Sequence, residues 1–322
     1  MNILQHYVPD FHGQKVSVNG YDGYKNKDGI YFIIPKVNNE TIHYEQKIIS
    51  EYLSGNGFTN LASPILNQQG QLTTQIEQKE FIVCLGRLAN HNNYMSHGQL
   101  LATFHRIGAE YPYAPEYISS YGQWKTLWQN KIDKMEQLYN NQIQERPVTR
   151  FQRLFIDTFP YIIGLAENAL QYLQETELDN RFNESDQACF TFQRYKRQLQ
   201  DQMIWSHELS YDHPTRDIAE YIRPFLLEEQ QSLKKVRTFL SEYEQVRSLS
   251  IFGWRLLYAR LLFPVHLFDF LERGLGVANS NYLYKDYKLL LEKHDHYEAN
   301  VKGFFNMVGM DTTSLKLPVL DW

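Results

Sequence analysis

Ile204-Trp205-Ser206-His207-Glu208-Leu209, continued by Tyr211-Asp212-His213-Pro214-Thr215-Arg216-Asp217-Ile218-Ala219-Glu220, is the stretch on which the reading of this chain turns. Its first part reads as the end of a strand, closing on the indole of Trp205. A polar loop follows, and a helix opens at Asp217-Ile218-Ala219. An Asp at a helix start satisfies orphan N–H groups and suits the positive end of the dipole. A hard cation such as magnesium wants oxygen ligands, and an indole supplies none.

Upstream, Cys189–Ile204 reads as strand or hairpin. The chain as far as about Leu88 is strand-rich. Lys15-Val16-Ser17-Val18 alternates, and Asn26-Lys27-Asp28-Gly29 is a turn before the β-branched and aromatic run Ile30-Tyr31-Phe32-Ile33-Ile34. The apolar spacing of Ile42, Ile48, Ile49, Tyr52 and Leu53 predicts a helix over about 41–53, stopped by Gly55-Asn56-Gly57. Two more strands are expected at 71–77 and 80–85. From Tyr94 onward helices take over. Ser96 and Gln99 have the spacing of a capping box, and long helical patterns cover about 123–140, 148–176, 217–244 and 252–275.

The chain has 322 residues, of which 43% are hydrophobic, enough to bury a sizeable core. With 23 Tyr and 19 Phe, aromatic packing should dominate that core. A net charge of −5 gives no basic footprint for nucleic acid. Cys84 and Cys189 are too few and too far apart for a disulfide framework, and both read as buried small hydrophobes in a reducing compartment. The start of the chain lacks the basic and apolar regions of a signal peptide, and its longest apolar runs are too short to span a membrane.

Several pieces in order carry a family resemblance. Gly98-Gln99-Leu100-Leu101-Ala102-Thr103-Phe104-His105 resembles the Gly-x-x-Leu-Ala-x-x-His helix that follows the strand lobe in aminoglycoside-phosphotransferase-like small-molecule kinases. Tyr44–Leu53 resembles the helix whose Glu pairs with the ATP-binding Lys, with Glu45 in the Glu position. Thr215–Arg223 resembles the helix opened by Asp-Leu-Ala. The chain is most similar to the spore-coat branch of that superfamily, the CotS type, over nearly its whole length. The resemblance implies an α+β, two-lobed protein-kinase-like fold of the aminoglycoside phosphotransferase type. Residues 1–88 would form the β-rich N-lobe, and 89–322 a mostly helical C-lobe.

The same resemblance implies what is missing. The catalytic Asp of active relatives corresponds to Arg194, within Phe192-Gln193-Arg194, and the magnesium Asp corresponds to Trp205. Arginine stays protonated and cannot act as a base, and phosphoryl transfer relies on those carboxylates for positioning and charge. Lys36 falls one or two places after the family's Lys, and a shift of one residue on a strand turns a side chain to the other face. Glu45 and Lys36 remain the candidates for a residual nucleotide cleft, while Asp217, as a helix cap, and Ser96 are structural. The expected reading is a non-catalytic, pseudokinase-like scaffold associated with the endospore coat. It would use neither ATP nor magnesium and no other cofactor. It would be synthesised in the cytoplasm, with other coat proteins as partners and neither nucleic acid nor membrane insertion. The alternatives are a phosphotransferase with a displaced catalytic set at Glu208 or Asp212, and a nucleotide- or metabolite-binding module without turnover.

Other clusters read as ordinary surface. His207, Asp212 and His213 fit no zinc spacing and read as loop polars, so no metal is expected. His294-Asp295-His296 reads as a helical surface cluster. Arg194, Lys196 and Arg197 form a small basic patch around Tyr195, read as a solvated strand edge. Tyr111–Tyr117 reads as an ordered loop packed on the large lobe.

Overall fold

Asn19-Gly20 makes the first hairpin of the computed structural model, which describes residues 3–36, 39–89, 95–145, 149–228, 233–275 and 282–320. Both turn residues have positive φ, 49° and 83°. That is the requirement of the two-residue turn whose twist matches the flanking strands. It joins β1 (Gln14–Val18) to β2 (Tyr21–Lys25) in antiparallel register, Val18 opposite Tyr21. The sheet continues through β3 (Ile30–Pro35), and after helix α1 (Glu40–Gly55) adds β4 (Leu61–Pro64), β5 (Thr73–Ile76) and β6 (Lys79–Gly86). Helix α2 (His97–Ala109) follows, then the short strands β7 (Cys189–Phe192), β8 (Ile204–Trp205) and β9 (Leu209–Asp212).

The strand order is β1-β2-β3-β6-β4-β8, with β5 also on β6. β8 lies parallel to β4 and pairs Ala62 with Trp205. Of the strand or hairpin expected within 189–204 the structure has the strand: β7 pairs with β9, Cys189 opposite Asp212 and Phe192 opposite Leu209. Alternation along β3 and β6 splits the core by face. Ile30, Phe32, Ile82 and Cys84 join Val18, Ala62, Met203 and Trp205 on one side. Tyr31 and Val83 join Ile3, Leu4, Tyr7 and Phe11 on the other.

These elements form one compact unit, residues 1–120 with 188–214. The strands stop at Gly86 and helix begins at His97, on either side of the boundary expected at 88. The unit nevertheless runs on to Ser120 and takes in 188–214, because β8 extends the sheet and α2 packs on β7. The switch from strand to helix patterns also predicts a proteolytic site near Asn90-His91-Asn92-Asn93, which lies outside the described residues.

The second unit, residues 121–187 with 215–322, is helical. It contains α3 (Trp124–Glu145), α4 (Arg150–Leu178), α5 (Thr215–Leu226), α6 (Leu233–Glu244), α7 (Ile251–Leu262), α8 (Val265–Leu275) and α9 (Leu283–Lys302). Two expected long helices are each two helices. The pattern over 217–244 divides between α5 and α6, and that over 252–275 breaks at Phe263-Pro264. Proline lacks an N–H and holds the residue before it out of helical backbone; Phe263 is accordingly extended, with ψ 120°. His294 was expected on a surface and is buried: its Nδ1 lies 3.0 Å from Nε2 of His266, beside Tyr297. Among the described residues, no helix is long and apolar enough to cross a membrane.

Candidate functional site

Trp205 ends β8 with its side chain on the inner face of the sheet, 3% exposed. Its ring centre lies 4.7 Å from Phe32 on β3 and 4.1 Å from Tyr21 on β2. Three rings from three strands thus occupy the position that the resemblance assigns to a metal ligand. Behind Trp205, Asn19 in the β1–β2 turn donates its Nδ2 to the Met203 carbonyl at 3.3 Å. In protein kinases a glycine-rich loop covers the nucleotide phosphates. Here the connection at the start of the sheet is a two-residue turn tied to the chain just before Trp205.

Beyond Trp205 the chain turns through a short 3-10 segment, Ser206–Glu208. Nε2 of His207 lies 3.3 Å from the Tyr21 hydroxyl. Burial, and then the nearby His43, push the His207 imidazole below its usual range. His43 is lowered too, chiefly by burial, although Gln46 bonds its Nδ1 at 3.0 Å and pulls the other way.

Arg194 stands half-buried just past β7. The segment around it folds on itself through Gln198, whose Nε2 donates to the Arg194 carbonyl at 2.8 Å and to Oε2 of Glu208 at 3.1 Å. The Gln193 N–H donates to the Glu208 carbonyl at 2.8 Å. Tyr195 is buried, with its hydroxyl 3.1 Å from Nε2 of His97, while Lys196 and Arg197 are exposed. The basic patch is therefore a tight loop beyond β7, not an edge of the strand.

Three carboxylates accompany this segment. Asp212 was expected on a surface loop and is 1% exposed; its oxygens accept from Ser120 Oγ at 3.0 Å and from the His213 N–H at 2.6 Å. His213 is wholly buried as well. Burial raises the Glu208 carboxyl, against the opposing bond from Gln198. Asp201 stands apart at the exposed end of the loop. Among the described residues, no group of three or more His, Cys, Asp or Glu is placed to hold a metal ion.

Glu45 and Lys36 have separate partners. Lys36 donates to Glu80 at 2.8 Å across the β3–β6 pair. Glu45 accepts from three consecutive backbone N–H groups, those of Glu116, Tyr117 and Ile118, at 2.7 to 3.0 Å. The aromatic loop at 111–117 is thus fastened to α1 within the first unit. Ser96 makes the expected capping box with Gln99. Asp217 was expected as the helix cap; it lies inside the first turn of α5, which begins at Thr215, and is fully buried.

Sequence reasoning missed Tyr21, His43 and Gln46. The Asn19-Gly20 pair between alternating residues was a legible hairpin signal and would have placed Tyr21 on a strand. His43 and Gln46 share the buried face of α1 at i, i+3 spacing, which in sequence marks only a helix face.

A family model described as spore coat putative kinase YutH matches residues 2–304. Endospore coat-associated protein YutH of Bacillus subtilis (strain 168) is 34% identical over 305 residues, covering 91% of this chain and 88% of that protein. Among solved structures, an aminoglycoside phosphotransferase from Alicyclobacillus acidocaldarius matches with a TM-score of 0.65 over 95% of each chain, at 13% identity. A microcompartment-associated aminopropanol kinase matches with a TM-score of 0.60 over 96% of this chain and 97% of its own, at 10% identity. At such identities the likeness is one of fold, and it is the kinase-like α+β fold expected from the sequence. By the family match and the Bacillus relative, the chain belongs to the YutH family of spore coat putative kinases.

Proposed function

We propose that this chain is a non-catalytic member of its family, a kinase-like scaffold at the endospore coat whose partners are other coat proteins. The coat location follows the name of the Bacillus relative. The observation that carries the loss of catalysis is Trp205. It is buried against Tyr21 and Phe32, at the position that the family resemblance gives to the metal ligand, and offers no oxygen to a cation. Arg194 at the base position and the separate partners of Lys36 and Glu45 point the same way. The residues present do not fit magnesium-ATP, and no phosphoryl-transfer step is assigned to them.

A displaced catalytic set would have to use Glu208, the carboxyl raised by burial, because both oxygens of Asp212 are bonded within the fold. Calorimetric titration with ATP, with and without magnesium, separates the readings. The scaffold reading expects no magnesium-dependent binding and no phosphorylation of sugars, aminoglycosides or choline-like alcohols. Turnover that disappears in Glu208→Ala would overturn it.

A further inference from the structure

We propose that a second hollow in the first unit, separate from the Trp205 cluster and independent of the scaffold reading, binds a small amphiphilic primary amine. The hollow has a volume of about 530 Å³, within the range of small-molecule sites. It lies among the loop after α1, one face of α2 and the 3-10 turn at Gln198–Gln200. Buried Leu100, Leu199 and Asn60 make its floor, and half-buried Phe58 and Ile107 its walls. Exposed Asp201 stands at its mouth.

Among the described residues that line it, Asp201 carries the only charge. Asn60 spends its Nδ2 on the Asp201 carbonyl, 3.1 Å away, which ties the floor to the rim. No cation pairs with the Asp201 carboxylate among the described residues, and burial alone raises it. The nearest arginine in sequence, Arg197, directs its guanidinium to Oε1 of Gln200 at 2.6 and 2.9 Å. An ammonium group at the rim supplies the charge that the Asp201 carboxylate lacks, and a charge-assisted bond to a carboxylate is the stronger kind. The order of the lining sets the orientation: apolar surface lies deep and the carboxylate at the rim. A free amine enters tail first and leaves its ammonium on Asp201. A lysine side chain from a partner protein would enter head first and strand its charge against Leu100 and Leu199.

The test is calorimetry on the full chain with 4-phenylbutylamine, 4-phenyl-1-butanol and 4-phenylbutyrate, which share one apolar body. The amine should bind saturably, and the alcohol and acid roughly two- to fivefold more weakly, the scale of an exposed ion pair. Asp201→Asn, an exposed change that leaves the fold intact, should remove the amine's advantage and leave the alcohol unchanged. Thr103→Trp, filling the hollow from α2, should abolish binding of both. Equal binding of alcohol and amine, an Asp201→Asn variant that binds the amine normally, or a lysine-containing tripeptide that binds more tightly than the amine would each overturn the proposal.

Discussion

The ring of Tyr21 lies 4.1 Å, centre to centre, from the indole of Trp205, and the Tyr21 hydroxyl reaches on to His207, two residues further along. One side chain of the first hairpin therefore covers both the strand end and the turn that follows it. The aromatic filling is shared between distant parts of the chain and is a property of the sheet as a whole.

Emptying the position should be costly. Trp205→Ala removes a side chain that is 3% exposed and touches three strands. The expected loss is roughly 3–5 kcal/mol, the range for truncating a large core residue. Denaturant melts check it; an unchanged midpoint would mean that the cluster does not stabilise the sheet.

Restoring the carboxylates should not restore a reaction. The double variant Trp205→Asp with Arg194→Asp places an acid at each degenerate position. The segment around Arg194 is nevertheless closed on itself by Gln198 and Glu208, and Lys36 remains on Glu80. We expect a destabilised protein without ATP-dependent turnover, measured by phosphate transfer to the alcohols named above. Recovered activity would show that the remaining scaffold is still arranged for catalysis.

Glu45→Ala should loosen the aromatic loop specifically. It leaves three backbone donors, at Glu116, Tyr117 and Ile118, without their carboxylate. Each group left unsatisfied costs about 1–3 kcal/mol if it stays buried, and less where water replaces the partner. Hydrogen exchange should accelerate at 116–118 and stay unchanged in β3 and β6. Exchange unaltered at those three amides would show that Glu45 does not hold the loop.

Acid should destabilise the helical unit through His294. Burial, and then the Arg223 charge, lower this imidazole to about 4, against about 6.5 in an unfolded chain. Between those values the unfolded chain binds a proton that the folded one refuses. Stability is therefore fully present above about pH 6.5, falls as pH drops towards about 4, and levels off below. The full difference amounts to about 3 kcal/mol. Burial, Arg223 and His294 lower His266 in the same direction. His294→Gln should flatten this part of the Tm–pH curve; an unchanged slope would remove His294 as its source.

The strand lobe was legible because alternation and turn residues at Asn26–Gly29 and Gly55–Gly57 fix local structure directly. The Ser96–Gln99 capping box was legible for the same reason. Pairing was not. Nothing in Cys189–Phe192 states that its partner is Leu209–Asp212, because a four-residue strand with three apolar side chains will pair with whichever edge the rest of the fold presents. Burial of polar residues was misread for a similar reason. Asp212, His213 and His294 look like surface residues by type, and only their tertiary partners and packing make burial tolerable. The helix pattern at 252–275 was run through Pro264 because apolar periodicity continued across it.

Cys84 belongs to the same cluster as Trp205, and burial pushes its thiol up to about 12. Alkylating reagents attack the thiolate, so at pH 8 only about one molecule in ten thousand presents the reactive form while the sheet is closed. Modification of Cys84 thus measures how often this face of the sheet opens. The chain carries its own clock for the integrity of the aromatic filling, read by mass spectrometry from the mass the reagent adds, and Cys189, on β7 in a separate strand pair, supplies an internal reference.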